Sequence, residues 1–210
     1  MEGLSHRFLS PRGVFLLLRC LRRALRERGS LEELYLAAAA DAPDLRSGLG
    51  AFLFWFRRAW GEELPRERDF LFPDPRNGSA CKRHNLFLRW MVRRADGVDL
   101  GLWSAIDPAD LIVPLDTHLA RLGRWMGLTR RRSVDWRMAE EITAALRSVC
   151  PEDPVRFDFA LTRVGILGEC TVRRRGRCPA CPLARVCAGS GRRRGVAVGE
   201  FAVAVPPPLG

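Results

Sequence analysis

Lysine is nearly missing from this chain. Of its 35 lysines and arginines only Lys82 is a lysine. Arginine serves wherever a fixed positive charge is enough, but a guanidinium stays protonated at any working pH and cannot attack carbon. An amine that loses its proton can. The scarcity makes Lys82 the candidate side chain for amine chemistry. The alternatives are chance survival or a phosphate contact, and the neighbouring Arg83 could supply the latter. Long apolar runs are missing too. The stretch from Val14 to Leu18 is cut by Arg19 and then by Arg22 and Arg23. This reads as an amphipathic helix, not a signal peptide or a membrane span, and predicts a cytoplasmic protein without a membrane partner. Strand-like alternation is almost absent, which argues against a sheet. No internal repeat is found.

What is present points to a globular protein. A chain of 210 residues with 47% hydrophobic content, six Trp and eleven Phe can bury a core, as one domain or as two small lobes. A formal charge of +11 favours a polyanionic partner, most simply nucleic acid. Seven cysteines stand at 20, 81, 150, 170, 178, 181 and 187. The crowding of four between 170 and 187 suggests a metal site in a reducing compartment, not disulfides.

Apolar residues recur at helical spacing, so an all-α fold is expected. The pattern predicts helices over 12–28 (Leu17, Leu18, Leu21 and Leu25 on one face) and 31–40, where Ser30 and Glu33 resemble a capping box. A third covers 45–60, with Leu49, Phe52, Leu53, Phe56 and Trp60 as its apolar face. The proline-rich stretch 61–78 reads as a loop. Ser79 is then expected to cap a helix over about 80–95 with Leu86, Phe87, Trp90 and Met91 facing inward. Further helices are expected near 99–105, 108–112, 117–127, 133–149 and 155–167. The expected division is a helical domain over 1–169, a four-cysteine loop over 170–187 and a flexible tail over 188–210.

Three constellations carry chemistry. Lys82 falls in the first turn of its expected helix, after Asn77-Gly78-Ser79-Ala80. Backbone N–H groups at such a start can receive a phosphate, and the helix dipole favours a free amine over an ammonium there. Asn77, Gly78 and Ser79 are therefore candidate substrate-binding residues, although an ordinary helix start explains them equally. Asp116 follows the apolar run Leu111-Ile-Val-Pro-Leu115 and precedes Thr117-His118. It fits an N-cap and a catalytic acid, and the two roles are compatible. Cys170, Cys178, Cys181 and Cys187 are spaced x7, x2, x5. One Cys-x2-Cys pair is fewer than a zinc ribbon shows, so a [4Fe–4S] cluster and zinc both stay open. Arginines 173, 174, 175, 177 and 185 surround them and suit a phosphate backbone.

The segment Leu115-Asp-Thr-His-Leu-Ala-Arg-Leu122 together with the Cys170–Cys187 loop resembles the helix-hairpin-helix DNA glycosylases of the endonuclease III type. Those enzymes carry a Val-Asp-Thr-His motif and a four-cysteine iron–sulfur loop. The loop here has one more residue in its first gap. The block from Ser79 to Arg93, with Gly97-Val-Asp-Leu-Gly-Leu-Trp103, resembles a bacterial family on the same fold, itself similar to archaeal 8-oxoguanine glycosylases. The resemblance covers most of residues 5–187. Two departures stand out. Pro75-Arg-Asn-Gly78 replaces the usual Leu-Pro-Gly-Val-Gly hairpin, and the related family tends to begin well before the residues matching Ser5-His-Arg-Phe8.

The resemblance implies a two-lobed helix-hairpin-helix fold and a monomer acting on double-stranded DNA that contains a damaged base. It implies Lys82 as the nucleophile at C1′, Asp116 as the acid beside it, and Asp158 as a contact to the base. It also implies a [4Fe–4S] cluster on the four cysteines. Asp158 fits a first-turn helix acid as well. The competing reading is a non-catalytic iron–sulfur protein that binds DNA on the same fold. A zinc-stabilised RNA-binding protein is a third.

Overall fold

A computed structural model describes residues 8–166, 178, 181, 183–185 and 187. Among them the chain is all-helical, with eight α-helices, three short 3-10 turns and no β-strand. Among the described residues no helix is long and apolar enough to cross a membrane. The chain divides into two compact units, Met1–Cys81 and Lys82–Gly210. The expected tail over 188–210 and most of the four-cysteine loop, Cys170 included, lie outside the described residues.

The first unit is built on α1 (Pro11–Arg28), α2 (Leu31–Ala39), α3 (Leu45–Trp60) and α4 (Pro65–Leu71). Side-chain caps set the first three starts. Ser10 accepts from Gly13 N, Ser30 from Glu33 N and Asp44 from Ser47 N, each satisfying an amide that the first turn leaves open. The expected face of α3 is the one buried: Leu49, Phe52, Leu53, Phe56 and Trp60. Phe56 stacks on Phe72, and Trp60 meets Phe72 edge-on. The face of α1 differs from expectation. Gly13, Leu16, Cys20 and Ala24 are buried, whereas Leu18 and Leu25 are exposed. These four residues follow one another at i+3 and i+4 steps and three of them are small, so α1 packs closely through them while Leu18 and Leu25 are turned outward. Residues 61–78 are not the continuous loop expected, because Pro65 opens α4. Proline lacks only an N–H that the first turn would leave unpaired anyway.

The second unit holds α5 (Lys82–Val92), α6 (Thr117–Met126), α7 (Trp136–Arg147) and α8 (Asp158–Ile166). Its core gathers Leu88, Leu111, Val113, Leu119, Leu122, Trp136, Met138, Ile142 and Val155. Helix α5 starts two residues later than expected and is not capped by Ser79. Cys81 takes a positive φ of 44° just before it, and the Ser79 hydroxyl accepts from Cys81 N at 3.3 Å. The inward face of α5 is Asn85, Leu88, Arg89 and Val92, while Trp90 is exposed. The expected helix at 99–105 does not form. Leu100 N and Gly101 N both donate to the Trp90 carbonyl, so the segment wraps the end of α5 instead.

Candidate active site

Two helix starts, α5 and α6, carry the chemistry-bearing residues of the second unit. Lys82 is the first residue of α5. Asp116 is the N-cap of α6, set there by the buried run Leu111 to Leu115. Its two carboxylate oxygens do different work. Oδ1 accepts from Leu119 N at 2.7 Å and closes the cap. Oδ2 lies 3.5 Å from Lys82 Nζ. The acid is 11% exposed and the lysine 48%, so solvent reaches the amine while the carboxylate is held. Lys82, Leu115, Asp116, Thr117, His118, Val134 and Ile166 line a cavity of about 550 Å³. Apolar walls around an acid and an amine, with two helix N-termini at the rim, favour an anionic ligand.

Helix α8 supports α6 from behind. A Cβ at Gly165 would lie 2.7 Å from the Cβ of His118, so only glycine permits this approach. His118 Nδ1 is buried and has no hydrogen-bond partner among the described residues, so the ring acts here in packing.

Asp158 does not line this cavity. It is 4% exposed and paired with Arg89, itself 3% exposed. Burial pushes its carboxyl up to about 6, against the opposing pull of Arg89. Arg89 also meets Asp99 at 3.2 Å. Arg93 binds Asp99 too, and reaches Asp153 at 2.8 Å and Asp96 at 3.4 Å. This network ties α5 to the 96–99 loop and to the start of α8. Sequence reasoning missed Arg89 and Asp99, since an arginine at a core position reads as an exposed one until its partners are known.

Asn77, Gly78 and Ser79 belong to the first unit. Asn77 and Ser79 line a separate cavity of about 510 Å³ with Phe54, Arg57, Asp74 and Arg76. Gly78 ends a 3-10 turn at φ 90°. The amides of Asn77 and Gly78 donate to the carbonyls of Asp74 and Pro75, and that of Cys81 goes to Ser79. Two of the N–H groups expected to cradle a phosphate, those of Asn77 and Gly78, are thus used within the chain.

Cys178 and Cys181 form no disulfide among the described residues. Among the described residues no group of three or more Cys, His, Asp or Glu side chains is gathered to hold a metal ion.

Residues 1–167 match the family described as "Protein of unknown function (DUF2400)", and the chain belongs to that family. No curated protein matches the chain, and no solved structure does.

Proposed function

For this member of the family, we propose a base-excision DNA glycosylase and apurinic-site lyase that removes an oxidised purine of the 8-oxoguanine kind. The observation that carries the reading is the 3.5 Å approach of the sole lysine to a capped carboxylate in an open cavity. Nucleophile and base within reach of one another, with the base oriented by a further bond, is the arrangement an activated amine needs. The Asp116 cap on Leu119 N supplies that orientation.

The target nucleotide is flipped from the duplex, since its glycosidic bond is otherwise inside the stack. Asp116 takes a proton from Lys82, whose Nζ attacks C1′. The C1′–N bond breaks, and its electron pair leaves with the base, which takes up a proton. Opening of the sugar then gives a protonated Schiff base on Lys82. Loss of a C2′ proton expels the 3′ phosphate and cuts the strand. Asp116 passes its proton to the departing base, and as a carboxylate again it faces the cationic sugar, as carboxylates do in glycoside cleavage. The helix-hairpin-helix fold and the double-stranded DNA partner belong to the same proposal.

Cys170, Cys178, Cys181 and Cys187 would hold a [4Fe–4S] cluster, with zinc as the alternative. Thiolates are the donor chemistry either group requires. Such a group would anchor the arginine-rich loop. No step of the reaction passes through it.

The deciding experiment is borohydride trapping on duplexes carrying 8-oxoguanine or an apurinic site, with wild type and Lys82→Ala. A covalent adduct that vanishes in the variant is the expected result. No adduct from folded protein that still binds DNA would overturn the lysine mechanism and leave a non-catalytic binding module.

A further inference from the structure

The cavity of about 510 Å³ in the first unit is not used by the lysine chemistry. Its volume lies in the range of roughly 300–1,000 Å³ that small-molecule sites occupy. Residues of α3, of α4 and of the 3-10 turn Pro75–Asn77 line it. Its two guanidinium groups are held in place. Arg76 donates to Asp74 from Nε at 2.9 Å and from Nη2 at 2.8 Å. It lies against Gly50, where a Cβ would come within 3.2 Å of Nε. Arg57 donates to the Phe72 carbonyl at 3.0 Å and meets Asp69 Oδ1 at 2.8 Å. Arg68 Nε shares that oxygen at 3.0 Å. Two polar edges are left over, because Arg76 Nη1 and Asp69 Oδ2 make no hydrogen bond among the described residues. Phe54 also lines the cavity, is 51% exposed and packs on no other ring among the described residues.

Charge narrows the choice of ligand. The two arginines and two aspartates of the lining cancel, and each guanidinium already faces a carboxylate. Neither a phosphate nor a metal ion meets net attraction there. A purely apolar ligand would shut the open Arg76 and Asp69 edges away from water without partners, which is unfavourable. What fits is a neutral, flat ligand with donors and acceptors on its rim and a π-face for Phe54. A nucleobase has that form, and bases stack on aromatic side chains. Guanine matches both open edges: O6 and N7 accept from a guanidinium, while N1–H and the N2 amine donate to a carboxylate. Adenine would set its N1 lone pair against that carboxylate and its N6 amine against the guanidinium.

We propose that this cavity binds the base of a free guanine nucleoside, stacked on Phe54 and read by Arg76 and Asp69. The free nucleoside is the ligand, since the phosphate of a nucleotide gains nothing from a lining without net charge. Asn77 and Ser79 keep the place the sequence gave them as binding residues, but through an amide and a hydroxyl side chain, their part of the backbone being used within the chain. No residue is shared with the lining of the cavity at Lys82 and Asp116. The assignment does not depend on the lyase reading, so failed borohydride trapping leaves it standing.

The test is a saturation-transfer NMR titration of the full chain with guanosine and its analogues. Guanosine should bind with a Kd on the order of 0.1–1 mM. Adenosine, inosine (no N2 amine) and 7-deazaguanosine (no N7 acceptor) should each bind about tenfold more weakly. Phe54→Ala should weaken guanosine about tenfold through the lost stack, and Arg76→Met should do the same. Lys82→Ala should bind guanosine as wild type does. Circular dichroism checks folding; should Arg76→Met not fold, Phe54→Ala and the analogues decide. No guanosine signal at millimolar concentration overturns the proposal. So does equal affinity for adenosine, or full affinity in Phe54→Ala. Binding lost in Lys82→Ala would move the ligand to the other cavity, and guanosine monophosphate bound more than about tenfold tighter than guanosine would contradict the neutral lining; either result sinks the assignment.

Discussion

Replacing Asp116 in two ways separates the two jobs of its carboxylate. Asn keeps an oxygen for the cap on Leu119 N, but it cannot take a proton from Lys82. Asp116→Asn should therefore hold the wild-type melting temperature while the rate of adduct formation falls roughly 10²- to 10⁴-fold. Asp116→Ala loses the cap as well and should cost about 1 kcal/mol in addition; thermal melts read that difference. Equal melting losses in both would mean that the cap is not the structural role. Asp158 yields a pH prediction. Its carboxyl is raised to about 6 by burial, so between the ordinary carboxylate range and that value the folded state binds more protons than the unfolded one. Its contribution to stability is full below about pH 4 and is lost as pH rises through about 6. Asp158→Asn should flatten the stability profile across that window in denaturant titrations. An unchanged slope would show that Arg89 keeps Asp158 ionised throughout.

At the scale of elements, the Arg89 network and the contact of α6 with α8 hold the site in shape. Arg89→Met would leave Asp99 without one of its partners and Asp158 without its own, both buried. A loss of roughly 3–5 kcal/mol is expected, with partial recovery when Asp158→Asn is added, as measured by chemical unfolding. Gly165→Ala should cost about 1–3 kcal/mol by forcing α8 away from His118. The same change should slow trapping, because α6 carries Asp116. Helix α3 shows where reading the sequence works: large apolar residues at helical spacing leave one choice of buried face, and Leu49 through Trp60 take it. The helix starts, marked by local residues, placed Lys82 and Asp116 singly, while their pairing was implied only by the family resemblance, since the 3.5 Å contact joins positions 34 residues apart. Helices α1 and α5 were misread for opposite reasons. In α1 three of the four buried residues, Gly13, Cys20 and Ala24, are small, and their value lies in close packing and not in their own hydrophobicity; Leu16 is the fourth. In α5 the stripe includes Arg89, which is stable inside only because Asp99 and Asp158 arrive from distant positions. The 99–105 segment failed likewise, since its hydrogen bonds go to the end of α5 and not along itself.

For the whole molecule, a net charge of +11 makes a simple demand on any DNA complex. If about six phosphates are neutralised, duplex affinity should fall by about 10³ between 50 and 200 mM salt. Fluorescence anisotropy across that range tests it, and a flat response would remove nucleic acid as the partner. The division of the chain adds a different handle. The boundary between the two units falls at Cys81 and Lys82, and Lys82 is the single lysine. A protease specific for lysine therefore has one peptide bond to cut, Lys82–Arg83, at the seam itself. That bond lies in the first turn of α5, so it is cleaved only when the turn unwinds. The rate at which two fragments appear becomes a clock for unwinding of that turn. A ligand that engages the amine should slow that clock without any assay of turnover.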